Sequence, residues 1–315
     1  MDDNKVYVIG HKNPDTDSIC AAIGYADYLN QRQSLGQGVV AVPARAGEIN
    51  GETAFVLEHF KAETPVLLEN AAGKKLVLVD HTEKSQMVDG ADQAEILGVL
   101  DHHKVSFNYH SPIFFHAETI GATCTMVAKK FFEDEHLGVN LTPQLAGLLL
   151  SAILSDTVIF KSSTSTQKDN DAAKKLAPFA GIFDLESFGV ELKKQGILRA
   201  GSVDELIKSG YKDFELAGNK IGTSQIEVVD LPSILTKRND LLAGAKKIYD
   251  QGGFLMVVLM LTDIMKVGTE IIAVGDTTKL EETFGRKLVD NSFYASGMIS
   301  RKKDLIPPLE KTLAK

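Results

Sequence analysis

The sequence contains no tryptophan and only two cysteines, Cys20 and Cys124. A protein that grips single-stranded nucleic acid needs aromatic stacking platforms and a basic groove, and the missing tryptophan counts against one. With two cysteines there is no disulfide framework. Neither has a base beside it in sequence, so both read as buried thiols. Positive charge is also in deficit, with 34 Lys and Arg against 42 Asp and Glu and a formal net charge of −8. That balance argues against a broad nucleic-acid surface. It does not exclude an anionic substrate, because a few local cations or bound metals outweigh an overall balance. Long apolar runs are missing as well. The longest, Leu145 to Leu154 and Phe254 to Leu261, are too short to cross a bilayer and fit core elements. The amino terminus, MDDNKVYVIGHK, carries acidic residues and then a strand, unlike a signal peptide. Repeats and low-complexity segments are absent. A cytoplasmic protein with neither a membrane nor a nucleic-acid partner is expected.

What is present is an ordinary globular composition, 44% hydrophobic and 24% charged over 315 residues, enough for two domains. The first half alternates strand and helix signals. Strands are expected at 6–9, 39–42, 75–80 and 96–100, with helices at 18–33 and 52–60 among them. Near-continuous apolar strands separated by helices imply a mostly parallel, doubly wound sheet covered on both faces. Helices are expected at 120–136, at 145–154 (apolar all round and therefore buried), at 168–179 and at 184–194. Gly196 and Gly201 mark 195–202 as a linker. Beyond it, a hairpin around Gly218–Asn219, a long helix over 231–250 and strands at 254–261, 270–274 and 296–299 suggest a smaller α/β domain with a mixed sheet. The expected division is 1–194, a linker at 195–202, and 203–315, with the active site in the cleft between the domains.

Ligand-type residues gather where the apolar segments end. His11, Asp15 and Asp17 follow the first strand, Asp80 the third, Asp101, His102 and His103 the fourth, and Asp156 the apolar helix. Each alone could be a helix cap or a solvated turn; Asp15 and Asp17 suit the cap of the helix at 18–33. Yet strand ends lie along one edge of a sheet, so the set can converge. Asp15, Asp17, Asp80 and Asp156 bring four negative charges, and His11 and His102 two neutral nitrogens. Two divalent cations balance that set, and imidazole with carboxylate suits Mn²⁺, Co²⁺ or Zn²⁺. Without metal the carboxylates would raise one another's pKa.

The motifs HKNPDTD, VDHTE, DHH and LSDT, at these separations and followed by a distal SRKK, resemble a family II inorganic pyrophosphatase. This is the manganese- or cobalt-dependent branch of the DHH phosphoesterase superfamily, with a second, DHHA2-type domain, and the resemblance spans essentially the whole chain. The superfamily's nanoRNase and RecJ-like nucleases carry other forms of the first motif. The resemblance implies hydrolysis of pyrophosphate to two phosphates by in-line attack of a metal-bridging hydroxide. It places His11, Asp15 and Asp80 around one tightly bound Mn²⁺ or Co²⁺, and Asp17, Asp80, His102 and Asp156 around a second, with Asp80 as the bridge. Asp101 would orient a ligand imidazole, and His103 would reach the substrate. Lys212, Arg301 and Lys302 would bind phosphate, further Mg²⁺ or Mn²⁺ would arrive with the substrate, and the assembly would be a homodimer. The chain departs from the family pattern at Thr82, where many members have Asn, and at Cys124, where small hydroxyl residues are common. A related phosphohydrolase acting on polyphosphate or short oligonucleotides is the competing reading. His59, in the helix at 52–60, reads as a surface or packing residue, and His110, His116 and His136 lack ligand partners at useful spacing. Asp263, at a strand end in the second domain, could be structural or line the cleft.

Overall fold

A computed structural model describes residues 4–315; Met1–Asp3, at the start of the first expected domain, lie outside the described residues. The chain divides into two compact units, one ending at Leu192 and one running from Lys193 to Lys315.

The first unit carries strands β1 (Lys5–Ile9), β2 (Val40–Arg45), β3 (Val66–Leu67), β4 (Lys75–Val79), β5 (Glu95–Asp101) and β6 (Phe114–Ala117). Its helices are α1 (Thr16–Arg32), α2 (Gly51–His59), α3 (Thr123–Glu133), α4 (Pro143–Asp156) and α5 (Gln167–Ala180), and α6 (Leu185–Leu198) runs across the boundary. All strand pairings are parallel, in the order β3-β2-β1-β4-β5-β6. The chain winds outward one way from β1 and the other way from β4. These two neighbours therefore form the switch point, where crevices open at the carboxyl ends of strands. Both strands are buried apart from their first residues, as their apolar runs require. α4 is buried from Leu145 to Ser155 and packs against α1, α3 and α5.

Two short strands escaped the periodicity reading. β3 is only two residues long, and β6 pairs only with β5, as an edge. α3 begins at Thr123 rather than near 120, because Ala122 is extended. The expected linker at 195–202 is helical as far as Leu198. Gly196 costs a helix about 1 kcal/mol relative to alanine but does not stop it.

In the second unit, α7 (Val203–Ser209) leads into strands β7 (Tyr211–Leu216) and β8 (Asn219–Val228). Their tight turn is Ala217–Gly218, both at positive φ, one residue upstream of the expected position. The helical pattern at 231–250 is two helices, α8 (Leu231–Leu235) and α9 (Arg238–Asp250). The Thr236 hydroxyl donates back to the Ser233 carbonyl where the first one ends. Next come β9 (Met256–Asp263), β10 (Gly268–Gly275), α10 (Thr278–Phe284), β11 (Ser292–Ser296), a π-helical turn at Arg301–Leu305 and α11 (Ile306–Leu313). The sheet order is β11-β10-β9-β8-β7, with β8–β9 parallel and the other pairs antiparallel. The expected strand at 296–299 lies earlier, at Ser292–Ser296. Alternate β9 residues serve opposite cores: Met256, Val258 and Met260 face Leu305 and Leu309, while Val257, Leu259 and Leu261 face Ile234 and Leu241. Burial on both faces explains the unbroken apolar run. No helix among the described residues is long and apolar enough to cross a membrane.

Candidate metal centre

The site is built at the switch point. β1 ends at Ile9, and Gly10 turns the chain beneath the start of α1. A Cβ at Gly10 would lie 1.8 Å from Ser18 Oγ and 3.0 Å from the Ser18 carbonyl oxygen, so only glycine lets helix and strand end approach this closely. Asp15 is the N-cap of α1, where its Oδ1 accepts from Ser18 N at 3.0 Å. The capping role is therefore real, but it occupies one oxygen. The other, Oδ2, lies 3.3 Å from His11 Nε2. Asp17 does not cap α1. Its carboxylate crosses to the start of α3 and accepts from Thr123 N at 2.6 Å and Cys124 N at 2.9 Å.

β4 delivers Asp80, fully buried and held at φ +62° in the left-handed region. That conformation is unusual for a residue other than glycine. Asp80 Oδ2 lies 3.4 Å from His11 Nε2, Asp80 Oδ1 lies 3.3 Å from His102 Nε2, and His102 Nε2 lies 3.4 Å from Asp156 Oδ2. Thr123 Oγ1 donates to Asp80 Oδ1 at 3.0 Å. The ligand-type atoms thus form overlapping groups, His11/Asp15/Asp80, Asp17/His102/Asp156 and Asp80/His102/His103, each contained within 4.8 Å.

The tautomers favour metal binding. His11 Nδ1 donates to the Lys12 carbonyl at 2.7 Å and His102 Nδ1 to the Ile120 carbonyl at 3.0 Å. Both rings then turn the Nε2 lone pair toward carboxylate oxygens, an arrangement typical of metal-binding imidazoles. Donors bound at about 2.1 Å to one cation lie roughly 3.0–3.4 Å apart in octahedral or tetrahedral geometry, and His11 and His102 lie 3.3–3.4 Å from the oxygens of Asp15, Asp80 and Asp156. Asp80 Oδ2 is buried and accepts no hydrogen bond, a costly state for a carboxylate oxygen unless a cation meets it. The donor set fits two divalent ions sharing Asp80.

The electrostatics agree. Burial, then the charges of Asp80 and Asp156, push the Asp17 carboxyl well above its ordinary range. With no cation bound, burial also opposes ionisation of Asp80, but protonated His102 and His11, whose Nε2 atoms then donate to it, outweigh burial and hold Asp80 well below that range. A cation at Nε2 would stand where that proton does. Burial pushes His81 down to about 4; its Nδ1 donates to the Val79 carbonyl at 2.8 Å.

Asp101 accepts from His103 Nδ1 at 2.9 Å and His103 N at 3.0 Å. The imidazole it orients is therefore His103, while His102 is set by the Ile120 carbonyl. Thr82 stitches two loops, donating to the Lys104 carbonyl at 3.1 Å and accepting from Ser106 N at 3.0 Å. Asp263 closes a turn through Met265 N and Lys266 N, at 3.0 and 2.9 Å.

In the second unit, Arg301 and Lys212 meet around one strand pair. Arg301 Nη1 donates to the Gly210 carbonyl at 2.5 Å and to Thr223 Oγ1 at 3.5 Å, and Thr223 Oγ1 donates to the Lys212 carbonyl at 3.0 Å. Arg301 is only 8% exposed, whereas Lys302 is exposed.

The sequence reading missed the residues that hold the ligand-type groups in place. Glu52 Oε1 accepts from Thr16 Oγ1 at 2.8 Å and from Ser155 Oγ, tying the neighbours of Asp15, Asp17 and Asp156 together. Thr123 and Ile120 act on residues remote in sequence, so no local spacing announces them.

The DHH family, N-terminal domain, matches residues 5–153, and the DHHA2 domain matches residues 192–312. A manganese-dependent inorganic pyrophosphatase of Methanothrix thermoacetophila is 44% identical over 320 residues, covering 100% of both chains. One from Methanocaldococcus jannaschii is 42% identical, covering 97% of this chain and 98% of the relative. The chain belongs to the manganese-dependent inorganic pyrophosphatase family. A crystal structure of a Methanococcus jannaschii protein assigned to the family II inorganic pyrophosphatases superposes with a TM-score of 0.86 at 40% identity, covering 98% of this chain and 100% of the other. Thr82 binds a loop, and Cys124 contributes its backbone amide to Asp17.

Proposed function

We propose that the protein is a manganese-dependent inorganic pyrophosphatase that hydrolyses pyrophosphate to two phosphates. The observation that carries this reading is the convergence at the switch point of the groups His11/Asp15/Asp80 and Asp17/His102/Asp156, linked by the approach of Asp80 to His102, in a chain of this family. His11, Asp15 and Asp80 would hold one Mn²⁺ or Co²⁺, and Asp17, Asp80, His102 and Asp156 the other. Two such ions supply a water of lowered pKa, hence a nucleophile at neutral pH, and neutralise phosphate charge. The protein's own groups do the positioning. The Lys12 and Ile120 carbonyls fix the His11 and His102 rings, and the α3 amides fix Asp17. Asp101 holds His103 Nδ1, leaving His103 Nε2 to touch a phosphate oxygen and stabilise charge on the departing phosphate.

Four carboxylates and two divalent ions leave the centre near neutral, whereas pyrophosphate arrives as a polyanion. Lys212, Arg301 and Lys302 of the second unit take that charge in this proposal, with Arg301 offering a planar grip on phosphate oxygens. The division of labour follows: 1–194 holds metal, 203–315 binds substrate, and 195–202 joins them. Further Mg²⁺ or Mn²⁺ enters with the substrate. A cytoplasmic home suits the two buried free thiols. A homodimer through the first unit suits the open edge of β6, where Phe114 and Phe115 are 48% and 39% exposed.

The test is phosphate release by metal-stripped protein, with Mn²⁺, Co²⁺, Mg²⁺ or Zn²⁺ restored, on pyrophosphate, polyphosphate and a dinucleotide. Fast release from pyrophosphate alone, strongest with Mn²⁺ or Co²⁺, is expected. Cleavage of polyphosphate or the dinucleotide with pyrophosphate untouched would overturn the reading.

A further inference from the structure

We propose that Asp169 is a positioning residue for the metal centre, acting through the segment Ile120–Thr125. The inference rests on the ligand reading above. Asp169 lies in the first turn of α5 and is fully buried. Its Oδ2 accepts from Thr166 N and Thr166 Oγ1, both at 2.7 Å, and with them completes the capping box of α5. A cap needs no more than that. Yet Oδ2 also accepts from Gly121 N at 2.9 Å, and Oδ1 accepts from Thr125 Oγ1 at 2.6 Å. One carboxylate thus grips the segment near both ends.

That segment holds three of the proposed ligands. The Ile120 carbonyl fixes His102 Nδ1, the Thr123 and Cys124 amides fix Asp17, and the Thr123 hydroxyl reaches Asp80. These ligands come from three separate places in the chain, and the segment is their common support. Its register is set tightly. A Cβ on Gly121 would lie 2.8 Å from Asp169 Oδ2 and 2.6 Å from Thr157 Cγ2, beside Asp156. Glycine is required there so that the amide can reach the carboxylate. Moving Gly121 or Thr125 off Asp169 therefore turns the supports of Asp17, Asp80 and His102 together.

The experiment separates this role from simple helix capping. Metal-stripped wild type, Asp169→Ala, Asp169→Asn, Thr125→Val and Thr166→Ala are titrated calorimetrically with Mn²⁺, their melting temperatures are measured, and the electron paramagnetic resonance of the loaded Mn²⁺ is recorded. Asp169→Ala and Thr125→Val should weaken Mn²⁺ binding about 10–100-fold, the range for losing an outer-shell partner, and alter the resonance. Asp169→Asn should recover part of the loss. Thr166→Ala, which breaks only the capping side, should lower the melting temperature and leave Mn²⁺ affinity and resonance unchanged. If Asp169→Ala fails to fold, Thr125→Val decides, since it removes one hydroxyl at nearly constant volume. Unchanged affinity in Thr125→Val and the Asp169 variants overturns the proposal while the ligand assignment stands. Wild type failing to bind two ions overturns both.

Discussion

Thr123 N donates to Asp17 Oδ2 at 2.6 Å across 106 positions of sequence. An aspartate in the first turn of α1 thereby caps α3, whose own N-cap residue, Ala122, has no side chain that could accept. The bond fixes a carboxylate at the switch point and satisfies helix amides that would otherwise lack partners. Fold and site share this contact, and several consequences can be measured.

Asp80 touches both imidazoles of the centre. Asp80→Ala should abolish the paired binding of Mn²⁺ and lower phosphate release by more than about 100-fold, beyond the usual cost of an outer-shell loss. Calorimetric titration gives the stoichiometry, and a phosphate assay gives the rate. A variant that still binds two ions would remove Asp80 as the shared ligand.

Stripping the metal should destabilise the chain at neutral pH. The Asp17 carboxyl is raised by burial and then by Asp80 and Asp156. The stability this gives the metal-free fold is present at low pH and is lost as pH rises through the raised pKa. Mn²⁺ should reverse the penalty, contributing about 2.7 kcal/mol per site at a hundredfold excess over Kd. Melting temperature should climb with Mn²⁺ concentration, and the gain should shrink in acid.

Gly10→Ala should be costly where an exposed Gly→Ala change is not. Its Cβ would meet Ser18 Oγ at 1.8 Å, and overpacking of this kind costs about 1–3 kcal/mol. Because α1 must shift, carrying Asp15 and Asp17, Mn²⁺ affinity should fall along with stability in denaturant. A loss of stability with undiminished affinity would show that the start of α1 is not what sets the ligand spacing.

The Glu118–Lys168 ion pair supplies a pH-dependent contribution away from the metal centre. The hydrogen bond from Lys168 holds Glu118 below the ordinary carboxylate range. A depressed carboxylate stabilises above its unfolded pKa, and that stability is lost as pH falls through the folded value. Lys168 is largely exposed, so Lys168→Met should cost under about 1 kcal/mol at pH 7. The difference from wild type should vanish in acid, as urea titrations at several pH values would report.

The sequence by itself determined that this chain builds a parallel sheet and that His11, Asp15, Asp17, Asp80, His102 and Asp156 stand where apolar segments end. Hydrophobic periodicity and ligand chemistry are local properties, and they need only neighbouring residues to be read. The metal-motif resemblance added the family for the same reason. Tertiary structure alone decided that Asp17 serves α3, that Asp101 grips His103 rather than His102, and that Glu52 and Asp169 tie distant segments together. Each of those outcomes is a hydrogen bond between atoms brought together by packing, and a buried donor or acceptor takes whatever partner the fold delivers. The same holds for β6 and for the helical continuation past Gly196. A short edge strand or a tolerated glycine is settled by what packs against it, which no window of sequence contains.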